Sequence, residues 1–164
     1  MAGTTPVPRL RLGILLWTAG TLGAVVVTAA LLPQLSANTP LPGPLWLIMA
    51  AGATQSALVV ALAVWGGVAL APAVGLRAPA FEAAALRQSI MAAFRPQILP
   101  GLIAGVPAGL LLFTSLQLSP APIAARLAQF TPPLYARVLY GGITEEVLLR
   151  WGLMTVFTWL MPGR

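Results

Sequence analysis

The sequence predicts an all-α, polytopic membrane helical bundle, with about four transmembrane helices and one interfacial amphipathic helix. Three observations carry that expectation. Hydrophobic residues make up 59% of the 164 residues and charged residues only 7%, against about 25% charged in a soluble domain. Mean hydropathy is +0.91. Apolar runs of about 20 residues recur along the chain, the length that carries a helix across roughly 30 Å of hydrocarbon.

The first span is expected over 12–32. It carries no charge and follows Arg9 and Arg11. A signal peptide is the alternative, with Leu35-Ser36-Ala37 as a weak cleavage site. The apolar run is longer than the roughly 7–15 residues of a signal core, which favours a retained helix. Pro33 is expected to end this helix and 33–44 to form a short loop. The second span covers 45–71. Thr54, Gln55 and Ser56 lie at its middle, where polar side chains bond to a neighbouring helix or line a cavity. Pro72 is expected to close it.

Residues 78–95 follow. Phe81, Ala84 and Ala85, then Ile90, Met91 and Phe94, recur at helical spacing among Glu82, Arg87 and Arg95. That pattern predicts an amphipathic helix on the membrane surface. The third span covers 97–118. Its Gly101, Gly105 and Gly109 form a stripe that admits a partner helix closely, and Pro100 and Pro107 loosen it. Residues 119–133 are rich in Pro and Ala and read as an outer loop. The fourth span covers 134–161. The whole, 1–164, is read as a single membrane domain and as a truncated part of a larger one.

Charge sets orientation. Nine arginines and three glutamates give +6, with no histidine and no cysteine. Arginines flank the first span on its N-terminal side and crowd the segment between the second and third spans. The positive-inside rule therefore predicts a multi-pass protein of the cell membrane with both termini in the cytoplasm. The arginines are scattered, so nucleic acid is not an expected partner; the lipid bilayer is. Missing histidine and cysteine exclude imidazole and thiolate catalysis and leave the serines without a base.

Two of the three glutamates stand together in Gly141-Gly142-Ile143-Thr144-Glu145-Glu146-Val147-Leu148-Leu149-Arg150. On an α-helix Glu146 and Arg150, four apart, share a face and pair. Glu145 points about 100° away, toward Gly141, Leu148, Leu149 and Gly152, with no partner in its own helix. A charge at the centre of a span costs about 2.5–3.5 kcal/mol by insertion scales. Pairing offsets that for Glu146 but not for Glu145. Burial would disfavour the ionised form of Glu145 and suit it to take a proton from water. The bland alternative is a register-fixing ion-pair set, with Glu145 bonded to Arg137 or Arg126.

The stretch resembles the first signature of the CAAX protease and bacteriocin-processing family, the CPBP or Abi intramembrane proteases: a Glu-Glu pair, three residues, then an arginine on an apolar helix. Gly75-Leu76-Arg77-Ala78-Pro79-Ala80-Phe81 is similar to the family in placement. The resemblance implies a helical membrane fold and peptide-bond hydrolysis. Glu145 would activate water, while Glu146 and Arg150 would orient the site. Substrates would be peptides or prenylated CAAX proteins. The resemblance also implies histidines on later helices, which assist the water or bind a divalent metal. None is present in this sequence, so it assembles no metal site and is expected to be inactive alone. Two alternatives belong to other classes. One is a non-enzymatic membrane subunit joined through Gly101, Gly105 and Gly109. The other is a small transporter fragment with Glu145 as proton carrier.

Overall fold

The computed structural model describes residues 6–38, 43–128 and 131–161. The remaining positions, including 39–42 of the first loop and the last three residues, lie outside the described residues. Every described element is helical. α1 runs Arg9–Asn38, α2 Leu45–Val74, α3 Pro79–Ala85, α4 Ile90–Gln117, α5 Ala121–Ala128 and α6 Leu134–Leu139. Two π-helical segments follow, π1 (Tyr140–Thr144) and π2 (Glu146–Met154), before α7 (Thr155–Leu160). Three helices, α1, α2 and α4, are long and apolar enough to cross a membrane. The helical run 134–160 is divided into α and π pieces and carries Arg137, Glu145, Glu146 and Arg150.

Several boundaries differ from the sequence expectation. α1 continues through Pro33, and α2 through Pro72. A proline inside a helix removes a single donor, and neighbouring groups in an apolar segment keep the rest of the ladder intact. α2 ends instead at Gly75, whose φ of 73° is the left-handed conformation that closes a helix, with its N–H bonded to the Ala71 carbonyl. The segment 78–95 is not one amphipathic helix. It breaks at Leu86–Ser89, where Arg87 takes a φ of 56°. Ser89 then caps α4, its Oγ accepting from the Ala92 N–H at 3.3 Å. Ile90, Met91 and Phe94 thus belong to the first turns of α4, which begins earlier than the expected 97 and runs on through Pro96, Pro100 and Pro107. The expected outer loop contains α5.

α1, α2 and the run 134–160 form the packed body. Gly13 lies opposite Val64 and Val68, Gly20 opposite Val60, and Gly52 opposite Thr28, so α1 and α2 are antiparallel. Gly20 also meets Val147, and Gly23 meets Leu139, which sets the run antiparallel to α1. Gly152 meets Ala63 and Gly66 meets Val156, so it is parallel to α2. Leu12, Leu16, Val60, Val64, Val147 and Trp151 fill the centre, with Ala85 of α3 and Ala71 of α2 at one end. The outward faces are apolar too. Trp46, Leu62 and Trp65 of α2 and Ile103, Leu111 and Leu112 of α4 are each two-thirds or more exposed. Soluble monomers rarely carry contiguous apolar surface of this extent.

Two polar contacts pin this packing. Buried Thr144 donates its hydroxyl to the Gly20 carbonyl at 2.8 Å. Interhelical bonds of this kind average about 0.6 kcal/mol and reach about 1.7. Thr144→Val, which keeps the shape and removes the donor, is expected to cost about 1 kcal/mol in reversible unfolding from detergent micelles. Trp17 donates its indole N–H to the Ala57 carbonyl at 2.9 Å. Gln55, expected to bond across or line a cavity, is exposed and makes no hydrogen bond among the described residues. The cross-helix bond comes from α1 instead.

α3 is tied down by the one glutamate outside the Glu-Glu pair. Glu82 is 7% exposed. One carboxylate oxygen accepts from Arg77 Nε at 3.0 Å and from Arg77 Nη2, and the other from the Ala78 N–H at 3.0 Å. The hydrogen bond to Glu82, and then its charge, raises the proton affinity of Arg77 above that of a free guanidinium, against a small opposing effect of burial. Arg77→Gln would leave this carboxylate buried with only one donor. Its expected cost is about 1–2 kcal/mol, below the ~3–5 of a fully buried pair because Arg77 itself is largely in solvent. A lower melting midpoint in detergent checks it.

Candidate functional site

The Glu145 segment sits near the middle of the run 134–160. Its backbone is wound more widely than an α-helix. The Glu145 N–H bonds to the Tyr140 carbonyl, five residues back, and the Thr155 hydroxyl donates to the Arg150 carbonyl at 3.3 Å, also five back. Gly141 and Gly142 open this stretch, and glycine's low helical preference eases a change of winding there. Short π-helical insertions recur at functional sites in helices.

The winding decides which side chains face where. Thr144, Val147, Trp151, Gly152 and Thr155 are buried against α1 and α2. Glu145, Glu146, Leu149 and Arg150 are exposed on the outer side. At about 100° per residue, Gly152 would share a face with Glu145, seven residues before it. With more residues per turn, those seven fall short of two full revolutions. Gly152 therefore turns inward, where an added Cβ would lie 2.6 Å from that of Ala63. Gly141 keeps its expected place beside Glu145: an added Cβ there would lie 3.7 Å from Glu145 Oε2.

The expected Glu146–Arg150 pair is present. Arg150 Nη1 donates to Glu146 Oε2 at 3.1 Å, and the two side chains are 66% and 55% exposed. Glu145 makes no hydrogen bond or ion pair among the described residues. Arg137 does not reach it, since its Nε donates to the Pro132 carbonyl at 2.7 Å. The Arg126 side chain lies outside the described residues. The burial that would suit Glu145 to base chemistry is not found among the described residues. The residue is exposed, and neither of the two cavities that border Arg9 includes it. The body of the bundle packs on the opposite face of this helix, and α4, which buries none of its residues, supplies no wall.

The chemistry open to this face is limited. Glu145 offers a carboxylate with no partner among the described residues, and Glu146 with Arg150 an oriented ion pair beside it. A divalent metal does not fit these residues. No group of three or more His, Asp, Glu or Cys side chains comes together among the described residues, and two glutamates, one of them paired, leave a metal short of ligands. The stripe Gly101, Gly105 and Gly109 faces open space, with nothing within 4 Å of an added Cβ at any of the three. Close helix packing occurs instead at Gly23 and Gly67, which sequence reasoning did not single out, and at Gly152, which it placed beside Glu145. No spacing rule marks these positions, because each is defined by the helix opposite.

No family model, curated protein or solved structure matches this chain.

Proposed function

We propose that the chain is a cell-membrane protein crossing four times, with both termini in the cytoplasm, and that its fourth crossing carries the carboxylate half of an intramembrane peptidase site of CPBP type. Three membrane-length helices support the membrane placement. The run 134–160 makes the fourth crossing, and α3 lies at the cytoplasmic surface. The observation that carries the peptidase reading is the contrast between the two glutamates: Glu146 held by Arg150, and Glu145 free beside Gly141. Charged side chains at membrane depth face a bundle interior or a wet cavity rather than lipid. The outward face of π2 is therefore an inner face of a larger assembly, whose other helices bring the histidines this sequence lacks. Glu145 takes the proton from the attacking water, and Glu146–Arg150 holds the geometry.

The test is peptide hydrolysis by the complex purified from its own membranes, assayed on prenylated CAAX peptides and on leader peptides. Activity that depends on Glu145, and that the isolated chain lacks, supports the reading; activity indifferent to Glu145 removes it. A second reading, a non-enzymatic subunit, is favoured by the open glycine stripe of α4. It predicts a complex that assembles but hydrolyses nothing.

A further inference from the structure

Two cavities on this fold meet at one arginine. The first, about 530 Å³, is an open groove between α1 and α2, walled by Gly13 and Trp17 on one helix and Ala61, Trp65 and Val68 on the other, with Arg9 at its end. The second, about 410 Å³, lies between the start of α1 and the loop after α2; it shares Arg9 and Val68 with the first and adds Arg77 and Glu82. Both are in the size range of small-molecule sites.

The polar groups at this junction are not equivalent. Arg77 is committed to Glu82, and both oxygens of that carboxylate are already bonded. Arg9 is exposed and makes no hydrogen bond or ion pair among the described residues. It stands in the first turn of α1, where the helix dipole disfavours a cation, so the helix itself gains nothing from it. Below it the groove is apolar. Gly13 adds no side chain to its floor, and the indole N–H of Trp17 is turned away to the Ala57 carbonyl, which leaves ring carbon toward the groove. A free guanidinium over an apolar trough has the shape and charge of a phosphodiester over a hydrocarbon chain.

We propose that this junction binds an anionic phospholipid, its phosphodiester paired with Arg9 and one acyl chain lying in the α1–α2 groove. The site rests on the membrane placement and not on the peptidase reading. Arginines at this end suit it to the leaflet with negative surface potential.

The experiment is native mass spectrometry of the full chain released from bilayer discs of equal phosphatidylglycerol and phosphatidylcholine. The native chain is expected to retain phosphatidylglycerol over phosphatidylcholine by about fivefold, the effect of one basic residue near a membrane surface. Arg9→Gln should bring the two lipids to parity, and Arg9→Lys should keep the preference. Gly13→Leu, which fills the groove, should lose both adducts, with helix content and melting midpoint checking that the bundle is kept; its Cβ meets only ordinary contacts at 3.7 and 3.8 Å. Parity in the native chain, or a preference that survives Arg9→Gln, overturns the proposal. So does displacement of the lipid by glycerol phosphate, which would mark a simple anion site, or a dimer cross-linked through the groove in place of lipid. A chain found in membranes but without lipid preference would sink this site and leave the membrane placement standing.

Discussion

Glu145→Gln is expected to lower peptide hydrolysis by the assembled complex about 10²–10⁴-fold, the range contributed by a positioned general base. The amide keeps the size of the side chain and cannot accept the proton. The exposed position argues that folding is untouched, because no described residue bonds to this carboxylate, so the melting midpoint and helix content should match the native protein. Glu146→Gln should behave differently. It frees Arg150, loses an open i,i+4 pair held at 3.1 Å, and is expected to cost less activity than Glu145→Gln. A protein in which Glu146 matters more than Glu145 would contradict the assignment of roles.

Gly67→Val is expected to destabilise the bundle by about 3 kcal/mol or more, at or beyond the upper end of overpacking penalties. An added Cβ at Gly67 would run into the indole of Trp151 and lie 2.6 Å from the Trp151 carbonyl oxygen. The backbone clash with the Trp151 carbonyl oxygen remains even if the ring turns. Its Nε1 is buried without a hydrogen-bond partner, and Trp151 is 7% exposed. Relief requires α2 and π2 to move apart, which would also strip contacts from Val64, Val147 and Leu16. Gly101→Val is the matched control. Nothing lies within 4 Å there, and valine is the better helix former, so a change within about 0.5 kcal/mol is expected. Melting midpoints of the two variants in one detergent check the pair. Equal midpoints would mean that α2 and π2 do not pack as described.

The control also shows where the sequence misleads. Gly101, Gly105 and Gly109 repeat every four residues, and the repeat is a correct statement about one helix: they share a face. It says nothing about whether another helix of the same chain lies on that face, and among the described residues none does. Gly23, Gly67 and Gly152 repeat nothing, yet each is where two backbones come closest. Glu82 is a similar case. In the sequence it is one charge among several on an amphipathic stretch. In the fold it is the buried carboxylate, because the turn after α2 brings Arg77 and the Ala78 amide onto it.

Other features were readable because they depend on residues close in the chain. The helical class and the apolar helices follow from composition and hydropathy, which add up residue by residue. The Glu146–Arg150 pair follows from a spacing of four, and the lack of a partner for Glu145 within its own helix from the lack of any cation at that spacing. The termination of α2 at Gly75 and the restart of α4 at Ser89 also had local signals, a glycine after the apolar run and a serine before it, overshadowed by the nearby prolines.

What the tertiary structure alone decided is the facing of each helix. Local sums place residues along a helix but not around it once the winding changes. The π-helical stretch rotates the side chains that follow it relative to an α-helical count, turning Gly152 inward against α2 while Glu145 stays on the open side. Burial in a bundle is a relation between two helices, and half of that relation lies in residues far away in the chain.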